Sequence, residues 1–195
     1  MIILGLTGSI GMGKSETARM FRRLGVPVFD SDAAVHQLMA PNGAAIAPIT
    51  DEFGDVLAED GSIDRAKLGA VVFGDGAALK KLESILHPMV SSLRQQFLQQ
   101  QTRYRTPIVV FDVPLLFETG GEKYCHYTVV VSAPDFVQRS RVLARPGMTE
   151  ERLAAILAKQ MPDREKRNRA DFIIQSGNGK AYAFQQVRSL INEVK

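Results

Sequence analysis

The sequence predicts an α/β fold, a parallel sheet covered by helices, and three observations carry that expectation. Five short apolar runs are spread along the chain, at residues 2–7, 26–29, 108–113, 127–132 and 172–174. Segments with helical spacing separate them, and the strand–helix–strand order is the mark of a parallel sheet. A glycine-rich octapeptide joins the first run to the first helix. Near-continuous apolar runs suit strands buried on both faces.

The elements follow in order. Residues 2–7 read as a buried strand, ended by Gly8. A helix is expected from Lys14 to Leu24, with Gly25 as its stop. Residues 26–29 form a second strand, and Pro27 marks it as an edge or a strand start. Residues 33–105 carry no strand signal and read as a helical insertion. Within it, 66–73 and 77–101 have helical spacing, with a break expected at His87-Pro88 because proline removes a helix hydrogen bond. Residues 108–113 are apolar except for Asp112, near the end of the third strand. The fourth strand is 127–132 and the fifth 172–174. Residues 133–170 read as helices broken at Pro146-Gly147 and Pro162, and a last helix covers 180–194. The expected division is a core of about 1–32, 106–135 and 171–195, an insertion of about 33–105 and a lid of about 136–170.

Composition excludes several classes. The chain has 195 residues, 45% hydrophobic and 23% charged, which is ordinary for a globular protein. A net charge of +3 is too small to argue for nucleic acid. One cysteine, Cys125, allows no disulfide within the chain, and a reducing compartment fits. The apolar start lacks the basic region and the length of a signal peptide. No stretch approaches the roughly 18 apolar residues of a membrane span. The expectation is a cytoplasmic protein without a membrane or nucleic-acid partner, a monomer or small homo-oligomer. Basic residues gather between Arg139 and Arg169, which suits a phosphate-rich ligand as well as a solvated helix face.

The octapeptide is the strongest signal. Gly8-Ser9-Ile10-Gly11-Met12-Gly13-Lys14-Ser15 satisfies the G-x-x-x-x-G-K-[ST] pattern of a P-loop, with a strand before it and a helix after it. Glycines let the backbone curl so that its N–H groups face an anion. The helix start adds its positive dipole end. Lys14 can reach the β- and γ-phosphates, and the Ser15 hydroxyl can ligate Mg²⁺. ATP and Mg²⁺ are therefore the expected co-substrate and cofactor. No Asn-Lys-x-Asp guanine-reading segment is present. A short chain with a helical insertion and late arginines looks like a small-metabolite kinase, whose lid excludes water from the phosphates.

Transfer to a hydroxyl needs a carboxylate beside the phosphates. Phe29-Asp30-Ser31-Asp32-Ala33 follows the second strand, at the end of a parallel strand where ligands gather. The same residues can instead cap a helix starting at Ala33. Asp112 can hold Mg²⁺ or be an ordinary strand-end acid.

An ordered set of motifs resembles the dephospho-coenzyme A kinase family over essentially the whole chain. The residues are Gly5 to Ser15, Asp30-Ser31-Asp32, Ile63-Asp64-Arg65, Leu82 to Pro88, Pro114-Leu115-Leu116-Phe117-Glu118, Gln138 with Arg139 to Arg145, Gln160-Met161-Pro162, Lys166 and Ala170-Asp171. The resemblance implies a P-loop nucleoside triphosphate hydrolase-like core that transfers phosphate from ATP to the ribose 3′-hydroxyl of dephospho-coenzyme A. It implies Asp32 as the catalytic base, with Lys14 and one of the lid arginines Arg139, Arg141 and Arg145 (Arg139 taken first) as further catalytic groups. ATP would be bound by Gly8, Ser9, Ile10, Gly11, Met12, Gly13, Lys14, Ser15, Glu16, Arg139 and Arg145. The acceptor would be bound by Asp30, Asp32, His87, Pro114, Leu115, Leu116 and Glu118, with Ser15 and Asp112 toward the metal. Glu16 departs from the Thr that many members carry after the P-loop serine. A nucleoside monophosphate kinase and a nucleotide-gated module without turnover are the competing readings.

Overall fold

The computed structural model describes residues 1–195. Five strands, β1 (Ile2–Thr7), β2 (Val28–Asp30), β3 (Ile108–Asp112), β4 (Tyr127–Ser132) and β5 (Phe172–Gln175), form one sheet in the order β2-β3-β1-β4-β5. β1 pairs in parallel with β3 and β4, and β4 with β5. Every strand expected from the apolar runs is present. The second starts two residues later than expected, because Pro27 has no N–H to donate and serves the ladder only through its carbonyl, which accepts from Val110 N–H. β2 is an edge strand, where proline is tolerated.

β1 lies at the centre of the sheet, between β3 and β4. Its side chains alternate, so Leu4 and Leu6 face one side with Ile108, Val110, Val129 and Val131. Helices α1 (Lys14–Arg23) and α9 (Lys180–Glu193) cover that side with Phe21, Ala183, Val187 and Leu190. α9 also supplies Gln186, whose side chain accepts from Gln175 N–H at 3.0 Å and donates to Gln175 O at 3.2 Å. That amide acts as one residue of an extra strand on the outer edge of β5, where backbone groups need partners.

The chain divides into two compact units, residues 1–29 with 101–195, and residues 30–100. The second holds α2 (Ser31–Met39), α3 (Ile46–Phe53), α4 (Arg65–Val72) and most of α5 (Gly76–Arg103). Its own apolar cluster joins Leu38, Ile49, Val56, Ile63, Leu68 and Leu82. Asp64 caps α4 by accepting from Ala66 and Lys67 N–H, and Asp75 caps α5 through Ala77 and Ala78 N–H. The break expected at His87-Pro88 does not occur, since α5 runs through Pro88. Ile85, Leu86, Met89, Val90 and Leu93 pack on the unit's core on both sides of the proline. Their burial outweighs the roughly 3 kcal/mol that an interior proline costs.

In the first unit, α6 (Asp135–Leu143), α7 (Glu150–Leu157) and α8 (Asp163–Arg169) follow β4. The chain turns between them at Pro146-Gly147 and Pro162, as expected.

Phe21 is fully buried between α1 and the sheet. Phe21→Ala is expected to lower the unfolding free energy by about 3–5 kcal/mol. Urea titration followed by circular dichroism measures it, and a loss under 1 kcal/mol would mean that this face of the sheet carries little of the stability.

Candidate active site

The site begins where β1 ends. Thr7 Oγ1 donates to Pro114 O at 2.9 Å, which fixes the start of the loop against the chain after β3. Gly11 has φ 78°, and a Cβ there would lie 2.5 Å from Val142 Cγ2, so both conformation and space demand glycine. Gly13 has φ 96° and is the residue before α1. Met12 turns inward, 1% exposed, and its Sδ accepts from Ala133 N–H at 3.2 Å.

α1 has no side-chain cap at its N-terminus. Thr17 N–H reaches Gly13 O, but no protein group accepts from the amides of Lys14, Ser15 and Glu16. Three aligned donors at the positive end of a helix make an anion site. Lys14 Nζ stands 2.6 Å from Asp112 Oδ1, and Asp112 is 3% exposed at the end of β3. The Glu16 carboxylate does not add an unbalanced negative charge, because Arg19 Nη1 (3.2 Å) and Lys180 Nζ (3.4 Å) both engage it.

The α6–α8 segment surrounds the loop. Gln138 Nε2 donates to Ile10 O at 2.7 Å, and Ile10 N–H donates to Gln160 Oε1 at 3.1 Å. Arg141 donates to Ser176 Oγ and O, each at 2.8 Å, and Ser176 Oγ donates to Met12 O at 2.6 Å. Beside these, a cavity of about 510 Å³ is lined by Ser9, Gln138, Arg139, Glu150, Leu157 and Asp163 among others. Arg139 pairs with Glu150 at 2.6 Å, and Arg145 is exposed.

Pro114 to Glu118 follow β3. Leu115 is 40% exposed, whereas Leu116 is 1% exposed and packs beneath Gly5. The two leucines, both expected on the acceptor side, are thus divided, and Leu116 is a core residue. Glu118 faces Lys166 at 2.8 Å, and Lys166 is fully buried. Burial pushes the Glu118 carboxyl up, but the Lys166 ammonium and the Met161 N–H outweigh it and hold the group below its usual range.

Asp30, Asp32 and His87 belong to the second unit. The cap of α2 is Asp30, which accepts from Ala33 N–H at 3.0 Å, and the helix starts at Ser31 rather than Ala33. Asp32 lies in the first turn of α2 with an exposed side chain, and His87 is exposed on α5. The family motifs place Gln138, Gln160 and Arg141 in the lid, with Arg141 among the arginines expected at the phosphates, whereas their contacts with the loop, and any role for Ser176, were not foreseen. Their signal is a polar residue buried against a glycine loop far away in sequence, which one chain alone does not reveal.

A central strand, a P-loop and an uncapped helix behind it define a P-loop nucleotide-binding protein of the small-kinase kind. The dephospho-CoA kinase family model matches residues 2–181. A dephospho-CoA kinase of Mesorhizobium japonicum is 56% identical over 195 residues, covering 100% of this chain and 98% of its own length. The crystal structure of TT1252 from Thermus thermophilus superposes with a TM-score of 0.84 at 34% identity, covering 100% of this chain and 98% of that one. Dephospho-CoA kinase from Campylobacter jejuni has a TM-score of 0.72 at 27% identity, covering 98% and 96%. The chain belongs to the dephospho-CoA kinase family, and it is a phosphotransferase.

Glu118 has a folded pKa below its ordinary value of 4.5, so its stabilising contribution is present above that value and disappears as pH falls through the folded value. Glu118→Gln should remove this acid-side part of the pH–stability profile. At neutral pH it should cost about 3 kcal/mol, because Lys166 is left buried without its counter-charge. Thermal melts of both proteins from pH 7 to pH 3 measure this, and parallel profiles would show that the pair contributes nothing.

Proposed function

We propose that the chain transfers the γ-phosphate of ATP to the ribose 3′-hydroxyl of dephospho-coenzyme A, giving coenzyme A and ADP, the last step of coenzyme A biosynthesis. The observation that carries this is the set of unaccepted amides at the start of α1 with Lys14 beside them, in a chain of this family. The phosphates are received by the loop and helix amides that no protein group accepts from, those of Lys14, Ser15 and Glu16 foremost. Lys14 leaves Asp112 for the β- and γ-phosphates, exchanging one anionic partner for another, so the half-buried ammonium keeps a counter-charge throughout.

Asp32 accepts the proton of the attacking hydroxyl. Asp30 acts beside it by capping α2, which fixes the helix turn that carries Asp32. His87, Pro114 and Leu115 contact the acceptor, while Leu116 and Glu118 support that side from within the protein. Arg139 and Arg145, of the α6–α8 segment, meet the developing charge on the phosphates, and Arg139 then exchanges Glu150 for phosphate.

A hydroxyl and one carboxylate, Ser15 and Asp112, are too few donors for an all-protein cage, but they suit Mg²⁺, which takes most of its ligands from phosphate and water. When bound, the ion neutralises charge on the phosphate oxygens. The reading gives a cytoplasmic enzyme that acts on two small molecules. No helix is long and apolar enough to cross a membrane.

Release of ADP should depend on dephospho-coenzyme A and not on AMP or CMP. A coupled ADP assay with the three acceptors decides this, and turnover with AMP or CMP alone would replace the reading with a nucleotide kinase. ATP binding without any acceptor-dependent ADP would make the chain a module without turnover. Lys14→Ala should lower kcat/KM by about 10²–10³-fold. Asp32→Asn should lower kcat by about 10²–10⁴-fold and leave ATP affinity within about twofold. Equal losses of turnover and ATP affinity would assign Asp32 a structural role.

A further inference from the structure

We propose that Gln138 and Gln160 are positioning residues that clamp Ile10 of the P-loop from both sides and so set the affinity of the loop for ATP. The two peptide groups flanking the Ile10 Cα are held by opposite chemistry. Gln138, on α6 and 6% exposed, gives an N–H to the Ile10 carbonyl at 2.7 Å. Gln160, between α7 and α8, takes the Ile10 N–H at 3.1 Å. Together they fix φ and ψ of the residue immediately before Gly11, where the loop turns with positive φ. They also commit the Ile10 N–H to Gln160, so it is not among the amides left open to an anion.

Gln160 is itself anchored. Its neighbour Met161 donates its N–H to Glu118 Oε1 at 2.9 Å, and the same oxygen meets the fully buried Lys166 at 2.8 Å. A continuous line of polar contacts therefore runs from Lys166 through Glu118, Met161 and Gln160 to the phosphate loop. Gln138 lies directly against Gly11, its Cγ and O 3.3 and 3.0 Å from where a Gly11 Cβ would be. A glycine-rich loop loses much backbone freedom when it wraps an anion. A clamp formed before binding removes part of that cost, so its loss appears as weaker ATP binding.

The chemistry predicts an asymmetry between the two positions. A carboxylate can replace Gln160, because an acceptor is needed there, but not Gln138, where a donor is needed. Gln138→Ala and Gln160→Ala are each expected to weaken ATP binding about tenfold, the scale of one lost hydrogen bond. They should raise KM for ATP much more than they change KM for the acceptor. Gln160→Glu should bind ATP more tightly than Gln160→Ala despite its negative charge, and Gln138→Glu more weakly than Gln138→Ala. Charge repulsion alone would move both positions in the same direction. Calorimetric ATP binding and steady-state kinetics on the full chain, with melting temperatures as a folding control, test this. The clamp is refuted if the alanine variants bind ATP like the wild type, or if Gln160→Glu is no tighter than Gln160→Ala. If Gln138→Ala does not fold, the half-buried Gln160 pair decides alone. The inference rests on ATP being the ligand of the loop, and wild-type protein that fails to bind ATP would sink that reading rather than the geometry of the clamp.

Discussion

A helix start without a cap governs the arrangement around it. The first amides of any helix need acceptors from outside the helix. Asp30, Asp64 and Asp75 provide them for α2, α4 and α5. α1 alone among these four leaves Lys14, Ser15 and Glu16 without a protein acceptor, and Gly13 ahead of it has no side chain to offer one. A glycine there costs helix stability, and burial of Ala18, Met20 and Phe21 against the central strand keeps the helix in place. The packing of α1 on the central strand thus lies directly behind three backbone amides that no protein group accepts from.

Charge is arranged around that same point. Lys14 adds a cation to the helix dipole, and an isolated ammonium beside a buried loop would be costly. Asp112, on a strand paired in register with β1, compensates it at 2.6 Å. Glu16 would oppose an incoming anion if left alone, but it is shared by Arg19 and Lys180. Glu118 and Lys166 form a second buried pair farther back, whose value lies in fixing the backbone at Met161. None of these contacts binds phosphate in the structure, yet each decides how much positive potential reaches the loop.

The strands and the P-loop were legible in the sequence for a local reason. Strands buried on both faces must be apolar throughout, and the loop needs its glycines at fixed offsets, so each leaves a contiguous trace. Pro88 misled because its local cost is real, while the packing that offsets it comes from Ile85, Met89 and Leu93 meeting residues far away in sequence. Leu115 and Leu116 read alike as neighbours, and only the fold shows one outside and the other beneath Gly5. The lid motifs name Gln138, Gln160 and Arg141 but not what they touch, because long polar side chains usually face solvent. Their partners, Ile10 and Ser176, lie 128, 150 and 35 residues away in the chain.

The pair Asp30 and Asp32 shows how one short segment can serve two demands. A helix that follows a strand directly needs an acceptor for its first amides, and a phosphotransfer site needs a carboxylate with an uncommitted lone pair. A single aspartate serves both poorly, because the capping bond ties the carboxylate's orientation to the helix start. Asp30 takes the capping role, with its backbone still extended as the last residue of β2. Asp32, two residues on, is exposed, and its side chain takes no part in capping the helix. The Asp-x-Asp spacing puts the capping acid and the acid proposed as the base on separate residues, and capping, which first looks like a rival explanation for the motif, holds the turn that carries Asp32 in shape.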